Sequence, residues 1–316
     1  MTLRLSIIVP FYNVEPYIEE CIRSLYAQDI PWEEYEVICV DDCSPDNSRA
    51  IVKRLQLEFP TLQLLTHIQN KRQGGARNTA IQIAQGRYVW FVDSDDYIGK
   101  NCLKNLLEVA EKDDVDLLKF YYQKMGSIPF PKMINYGPCS GSDLVFDAPM
   151  NIPSLERCSS VCMQLIKNKL LKDYAISFAE GVQYEDDDVA YQIYAFASRV
   201  LLVPLCPYIV RVVPNSTTRR SNDLRRVVDI YLQAKRMVEL ISTLSSIDSR
   251  WYSLIKEGIR DSFERQIFPM LKDCSFINQL HFWILDTKRS ECFRGHIGYK
   301  SYLKLRSYLA WKILQR

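Results

Sequence analysis

At 316 residues, 47% hydrophobic and 25% charged, the chain has the make-up of a globular protein with apolar mass for one large domain or two smaller ones. Its net charge of +2 conceals an uneven spread: residues 216–316 carry 19 Lys+Arg against 10 Asp+Glu, net +9, leaving 21 against 28, net −7, for residues 1–215. Ten cysteines without a C-x-x-C pair exclude a zinc cluster and read as reduced core thiols of a cytosolic protein; no stretch reaches the roughly 20 apolar residues of a membrane span or the build of a signal peptide.

Along the first hundred residues, strand and helix patterns alternate. Leu5–Val9 is a short β-branched run suited to a strand buried on both faces. A helix follows over about Glu15–Ala27, then a strand over Tyr35–Val40. Ser44 reads as the N-cap of a helix reaching about Glu58. Leu62–Thr66 is a third strand, Gly74–Ala84 a helix closed by Gly86 in the C′ role, and Tyr88–Val92 a fourth strand. This order predicts a mainly parallel sheet with flanking helices and right-handed crossovers, whose ligands lie beyond the carboxyl ends of the strands.

The next hundred residues are less regular. They predict a strand over Asp116–Tyr122, a long loop over Gly126–Pro153, and helices over Ser159–Asp173 and Glu185–Ala197. Strands are expected at Val200–Val203 and Tyr208–Val213. From about Asn222 the spacing turns helical, with Val228, Leu232 and Val238 in step, so a helical C-terminal region over 216–316 follows a domain over 1–215. Its end, 298–316, interleaves Lys300, Lys304, Lys312 and Arg316 with Tyr302, Leu305, Tyr308 and Trp311. That pattern suits an anionic membrane surface, or equally a bundle with snorkelling basic chains.

Polar clusters follow directly on three strand ends: Pro10-Phe11-Tyr12-Asn13, Asp41-Asp42-Cys43-Ser44 and Asp93-Ser94-Asp95-Asp96. Carboxylates of the third cluster, with substrate phosphates, are the oxygen ligands that Mg²⁺ or Mn²⁺ prefers, although short acidic turns are also common as solvated surface. Asp42 can accept hydrogen bonds from a base or ribose, or can cap the next helix. Gly74-Gly75-Ala76-Arg77 opens a helix, where glycines permit close approach and Arg77 suits phosphate, or the pair is an ordinary loop feature. Glu185-Asp186-Asp187-Asp188 crowds four carboxylates, which favours a general base but equally complements a helix dipole. His67, His281 and His296 are scattered and give no metal site.

As an ordered set over residues 5–190, Ser6-Ile7-Ile8-Val9-Pro10-Phe11-Tyr12-Asn13, Val40-Asp41-Asp42, Ala76-Arg77-Asn78, Asp93-Ser94-Asp95-Asp96, Glu180-Gly181 and Tyr184-Glu185-Asp186-Asp187 resemble the family 2 glycosyltransferases of GT-A fold. The resemblance implies a catalytic domain with a nucleotide-sugar half over about 1–100 and an acceptor half over about 101–215. Pro10, Tyr12 and Asp42 would line the nucleobase and ribose pocket with Glu15 nearby, and Arg77 would approach the base or diphosphate. Asp93 would contact ribose or a metal-bound water, Asp95 would ligate Mn²⁺ or Mg²⁺, and Asp186 would be the catalytic base of an inverting, metal-dependent hexosyl transfer. The donor would be a nucleotide-diphosphate sugar, UDP by default, and the acceptor a saccharide or lipid-linked saccharide in surface polysaccharide assembly. The enzyme would be cytoplasmic, peripheral to the inner face of the membrane.

Two departures stand against the family pattern. No His lies between Asp186 and Arg220 as a further metal ligand, and the Q-x-x-R-W motif of processive synthases is missing, which points to single additions. A sugar-nucleotide nucleotidyltransferase is one alternative, but Pro10–Asn13 lacks the glycines and cation of its phosphate loop. An inactive nucleotide-sugar-binding scaffold is the other, against which Asp95 and Asp186 are retained. No motif supports nucleic-acid binding.

Overall fold

The computed structural model describes residues 3–125, 145–146, 160–212, 224–243, 255–256, 258–259 and 262–267. The chain forms two compact units, one of residues 1–181 with 196–216, the other of 182–195 with 217–316.

In the first unit the chain runs β1 (Leu5–Phe11), α1 (Ile18–Tyr26), β2 (Tyr35–Asp41), α2 (Ser48–Leu55), β3 (Leu62–Thr66), α3 (Arg72–Ile83) and β4 (Tyr88–Phe91). β5 (Tyr97–Ile98), α4 (Leu103–Lys112), β6 (Leu117–Lys119), β7 (Tyr122–Lys124) and β8 (Val145–Phe146) follow. After them come β9 (Gln164–Lys167) and α5 (Asn168–Asp173). β10 (Val200–Leu202) and β11 (Tyr208–Val210) complete the first unit, while the second unit holds helix α6 (Asp186–Phe196) up to Ala195 and helix α7 (Leu224–Thr243).

Among the described residues, eight strands form one sheet in the order β3-β2-β1-β4-β9-β6-β10-β8. β3, β2, β1 and β4 are parallel, as the alternating pattern predicts, while β9 runs antiparallel between β4 and β6. The central strands bury every side chain of β1, β2 and β4, so both faces of the sheet are covered. A full Ile or Val at such a position contributes about 1.5–3 kcal/mol of apolar transfer. A second sheet, β5-β11-β7, stands apart from it.

Four sequence expectations change. The helix expected over Ser159–Asp173 is a 3₁₀ turn at Val161–Met163, then β9, then the short α5. Leu165 and Ile166 fit helical spacing, but a strand there completes the ladder between β4 and β6, so non-local pairing overrides local pattern. Ser44 caps no helix; it accepts from Asn13 N–H at 3.3 Å, and α2 begins at Ser48. Gly86 is not a left-handed C′ residue, since Gly181 alone of the described glycines has positive φ. A Cβ on Gly86 would lie 2.3 Å from the backbone of Leu5 and Ser6, so the glycine admits close approach to β1. Of the stretch expected as a loop over Gly126–Pro153, Val145–Phe146 pairs antiparallel with β10; the other residues of that expectation lie outside the described ones. α4, unassigned from sequence, buries Leu103, Leu106, Leu107 and Ala110.

In the second unit, Val227, Ile230, Ala234 and Met237 of α7 pack with Ile255, Ile259, Phe263 and Ile267. Of the residues expected in step, Val238 is buried, and Val228 and Leu232 only partly so. The basic 298–316 stretch lies outside the described residues.

Candidate functional site

β1, β2 and β4 end together because they are neighbouring parallel strands in register: Phe11 lies opposite Asp41, and Ile8 opposite Phe91. The three polar clusters therefore meet at one sheet edge. The β1–α1 loop is stitched to the β2–α2 loop. Val14 N–H donates to Ser48 Oγ at 3.1 Å, Glu15 N–H to Asp46 Oδ2 at 2.8 Å, and Asn47 donates twice to the Glu15 carboxylate at 3.0 and 3.1 Å. Both Glu15 oxygens are thus engaged by Asn47, and its visible work is to hold two loops. Pro10 is buried in β1, whereas Tyr12 is half exposed at the edge.

The two acids after β2 divide the labour. Asp41, fully buried, accepts from Ser44 N–H at 2.8 Å and pairs with Arg49 at 2.9 Å, so it shapes the loop. Asp42 is 2% exposed, and its Oδ1 accepts from Lys71 N–H at 2.8 Å and faces His67 Nδ1 at 2.8 Å. Its Oδ2 is buried without a hydrogen-bond partner. A buried acceptor left open costs about 1–3 kcal/mol, which a ligand N–H or O–H placed there would recover.

The acidic loop after β4 is held from three sides. Arg77, buried against the rings of Phe91 and Phe178, donates to Asp93 Oδ1 at 2.8 Å. Tyr208 of β11 accepts from Asp93 N–H at 3.1 Å and donates to Asp96 Oδ2 at 2.9 Å. Arg211 donates its N–H to Asp96 Oδ1 at 2.8 Å and its Nε–H to the Asp95 carbonyl at 2.9 Å, between the rings of Tyr17 and Tyr97. Asp96 is therefore a structural anchor, and Tyr208 and Arg211 are supports that no local motif marks.

Burial, with the neighbouring charge of Asp93, pushes the Asp95 carboxyl up to about 6 and that of Asp96 to about 7. Two close carboxylates, Asp93 and Asp95, at a strand end fit a hard divalent cation completed by phosphate and water oxygens. No cluster of three or more His, Cys, Asp or Glu that could hold a metal occurs among the described residues.

α3 also fixes the segment before the second acidic motif. Asn78 and Phe178 exchange hydrogen bonds at 2.8 and 3.0 Å, and Gly181 N–H reaches the Lys71 carbonyl at 3.0 Å. A Cβ on Gly74 would meet the Ala179 carbonyl oxygen at 2.2 Å, so glycine is required for that approach. Pro10, Tyr12, Asp42, Arg77, Asp93 and Asp95 thus share one edge of the first unit. Asp186 belongs to the second unit, where it is the half-buried first residue of α6. There Gln183 N–H donates to Asp229 at 3.1 Å, Gln233 donates to the Gln183 carbonyl at 2.9 Å, and buried Asp188 pairs with Arg236 at 2.7 Å. These bonds fasten the start of α6 to α7.

The six described cysteines, five buried and Cys43 exposed, are free thiols. No helix among the described residues is long and apolar enough to cross a membrane.

Residues 6–174 match the family model of glycosyl transferase family 2. A poly(ribitol-phosphate) beta-glucosyltransferase of Bacillus spizizenii is 32% identical over 188 residues, 59% of this chain and 28% of that one. The poly(ribitol-phosphate) beta-N-acetylglucosaminyltransferase TarS of Staphylococcus aureus is 43% identical over 118 residues, 37% of this chain and 20% of that one. The chain thus spans less than a third of either relative. The crystal structure of S. aureus TarS 1-349 in complex with UDP superposes with a TM-score of 0.68 at 25% identity, covering 89% of this chain and 78% of that one.

Proposed function

The chain belongs to glycosyl transferase family 2, and from that premise we propose that it moves a sugar from a uridine diphosphate donor to an acceptor hydroxyl, with inversion at the anomeric carbon. The observation that carries the reading is Asp42: one carboxylate oxygen is held by two donors, while the other is buried, unpartnered and shares an edge with the acidic loop. That is the acceptor a nucleobase or ribose needs. Pro10 and Tyr12, at the same sheet edge, would line the nucleobase and ribose site, and Glu15 keeps its loop in place. Arg77 orients Asp93 and adds positive potential for the diphosphate.

Asp95 and Asp93 would hold Mn²⁺ or Mg²⁺. Such an ion, when bound, supplies Lewis-acid stabilisation of the departing diphosphate. Asp186 is the base: its carboxylate takes the acceptor hydroxyl's proton while that oxygen forms the new bond to the anomeric carbon and the bond to the diphosphate breaks. Support for a uridine donor and a saccharide or polyol-phosphate acceptor in surface glycan assembly comes from what the named relatives act on and bind. The placement we infer is cytoplasmic, at the inner membrane face through 298–316.

A thermal-shift screen of nucleotide sugars, with and without Mn²⁺, tests the donor, because a ligand of the native state alone stabilises it. Stabilisation by uridine nucleotides and release of UDP on turnover are expected. Release of pyrophosphate instead would make the chain a nucleotidyltransferase.

A further inference from the structure

His67 follows β3 and continues the ladder, its N–H donating to the Asp41 carbonyl at 2.9 Å. The imidazole therefore stands at the carboxyl edge of the sheet, directly behind Asp42. Its Nδ1 lies 2.8 Å from Asp42 Oδ1, and its Nε2 lies 2.9 Å from Thr79 Oγ1 in α3. The same Asp42 oxygen accepts Lys71 N–H at 2.8 Å, so it serves as an acceptor and Nδ1 is the nitrogen that carries hydrogen toward it. Thr79 is equipped for either state of the other nitrogen. It donates to Nε2 when the ring is neutral, or turns its hydroxyl to the Gly75 carbonyl at 3.0 Å and accepts Nε2–H when the ring is charged. In both states Nδ1–H points at Asp42.

Two donors from different elements, His67 at the end of β3 and Lys71 at the start of α3, thus grip one oxygen of Asp42. Asn70 holds the Asp42 carbonyl at 3.0 Å. With Oδ1 gripped this way the carboxylate plane cannot turn, and Oδ2 is left buried with no partner. Both ring nitrogens of His67 are engaged within the protein, by Asp42 and by Thr79, so the imidazole has no polar atom left to offer a ligand.

We propose that His67 is a positioning residue of the nucleotide site: its Nδ1–H, together with Lys71 N–H, locks the Asp42 carboxylate so that Oδ2 alone is presented to the donor's uridine. The inference rests on Asp42 being a nucleotide contact. It assigns a role to a histidine that carries no metal spacing and lies outside every motif of the site.

Three variants separate its two nitrogens. His67→Asn keeps an N–H close to the place of Nδ1, His67→Gln keeps one close to Nε2, and His67→Ala keeps neither. UDP affinity is measured by calorimetry on the whole chain at a temperature where each variant's melting curve shows it folded. Binding by His67→Asn within about threefold of the native chain is expected, with His67→Gln and His67→Ala both weakened about tenfold, the loss of one charge-assisted hydrogen bond. A purely structural role would make affinity follow the melting temperature of the unliganded variants instead. The proposal is overturned if His67→Gln binds like the native chain, or if His67→Asn is as weak as His67→Ala. Failure of the native chain to bind UDP is a separate result, since it removes the nucleotide reading of Asp42 itself.

Discussion

Tyr208 and Asp96 lie 112 residues apart and share a buried hydrogen bond of 2.9 Å, in which the phenol donates to Asp96 Oδ2 while accepting from Asp93 N–H at 3.1 Å. One hydroxyl therefore ties the acidic loop after β4 to the second sheet. Burial holds that phenol well above its ordinary range, so it remains a donor at any physiological pH.

Tyr208→Phe keeps the ring and removes the bridge. Asp93 N–H loses its acceptor and Asp96 loses a donor, so stability should fall by about 1–3 kcal/mol. Chemical denaturation would show this as a lower midpoint with an unchanged slope. An unaltered midpoint would mean that Arg77 and Arg211 hold the loop without the phenol.

Asp95 and Asp96 make the protein pH-sensitive. Their folded-state carboxyls, at about 6 and about 7, hold protons that the unfolded chain releases near its ordinary 3.8. The native state thus binds more protons over that window, and their contribution to stability falls as pH rises from about 4 to about 7. A divalent cation competes with those protons. The stabilisation by Mn²⁺ should accordingly grow between about pH 5 and pH 8 and vanish in Asp95→Ala, together with metal-dependent donor binding. A pH-independent Mn²⁺ shift would remove Asp95 from the metal site.

Asp186→Asn removes a base without removing its shape. UDP affinity should stay within about twofold of the native value, while transfer falls by about 10²–10⁴-fold. Parallel calorimetry and a coupled assay for released UDP would read the two quantities. Near-normal turnover would take the base role away from Asp186.

Residues 298–316 offer an electrostatic test. If they bind an anionic surface at about 1 kcal/mol per basic residue, removing them should release the protein from phosphatidylserine vesicles in a pelleting assay. Undiminished pelleting of the shortened chain would defeat the membrane reading.

The parallel half of the sheet, and the meeting of three polar clusters at one of its edges, were legible in the sequence alone. Buried strands and amphipathic helices write their periods locally, and a polar cluster after each strand must fall at one end of a parallel sheet. Asp42, Asp93 and Asp95 could be picked out for that reason, and the ordered motifs pointed to the family. Only the tertiary structure decided what surrounds them. β9 enters antiparallel between β4 and β6, Gly86 serves backbone contact and not a helix cap, Glu15 is taken up by Asn47, and His67 and Tyr208 aim the acids from distant segments. Such partners leave no period or spacing to read, because a hydrogen bond between residues 25 or 112 positions apart depends on where the chain returns.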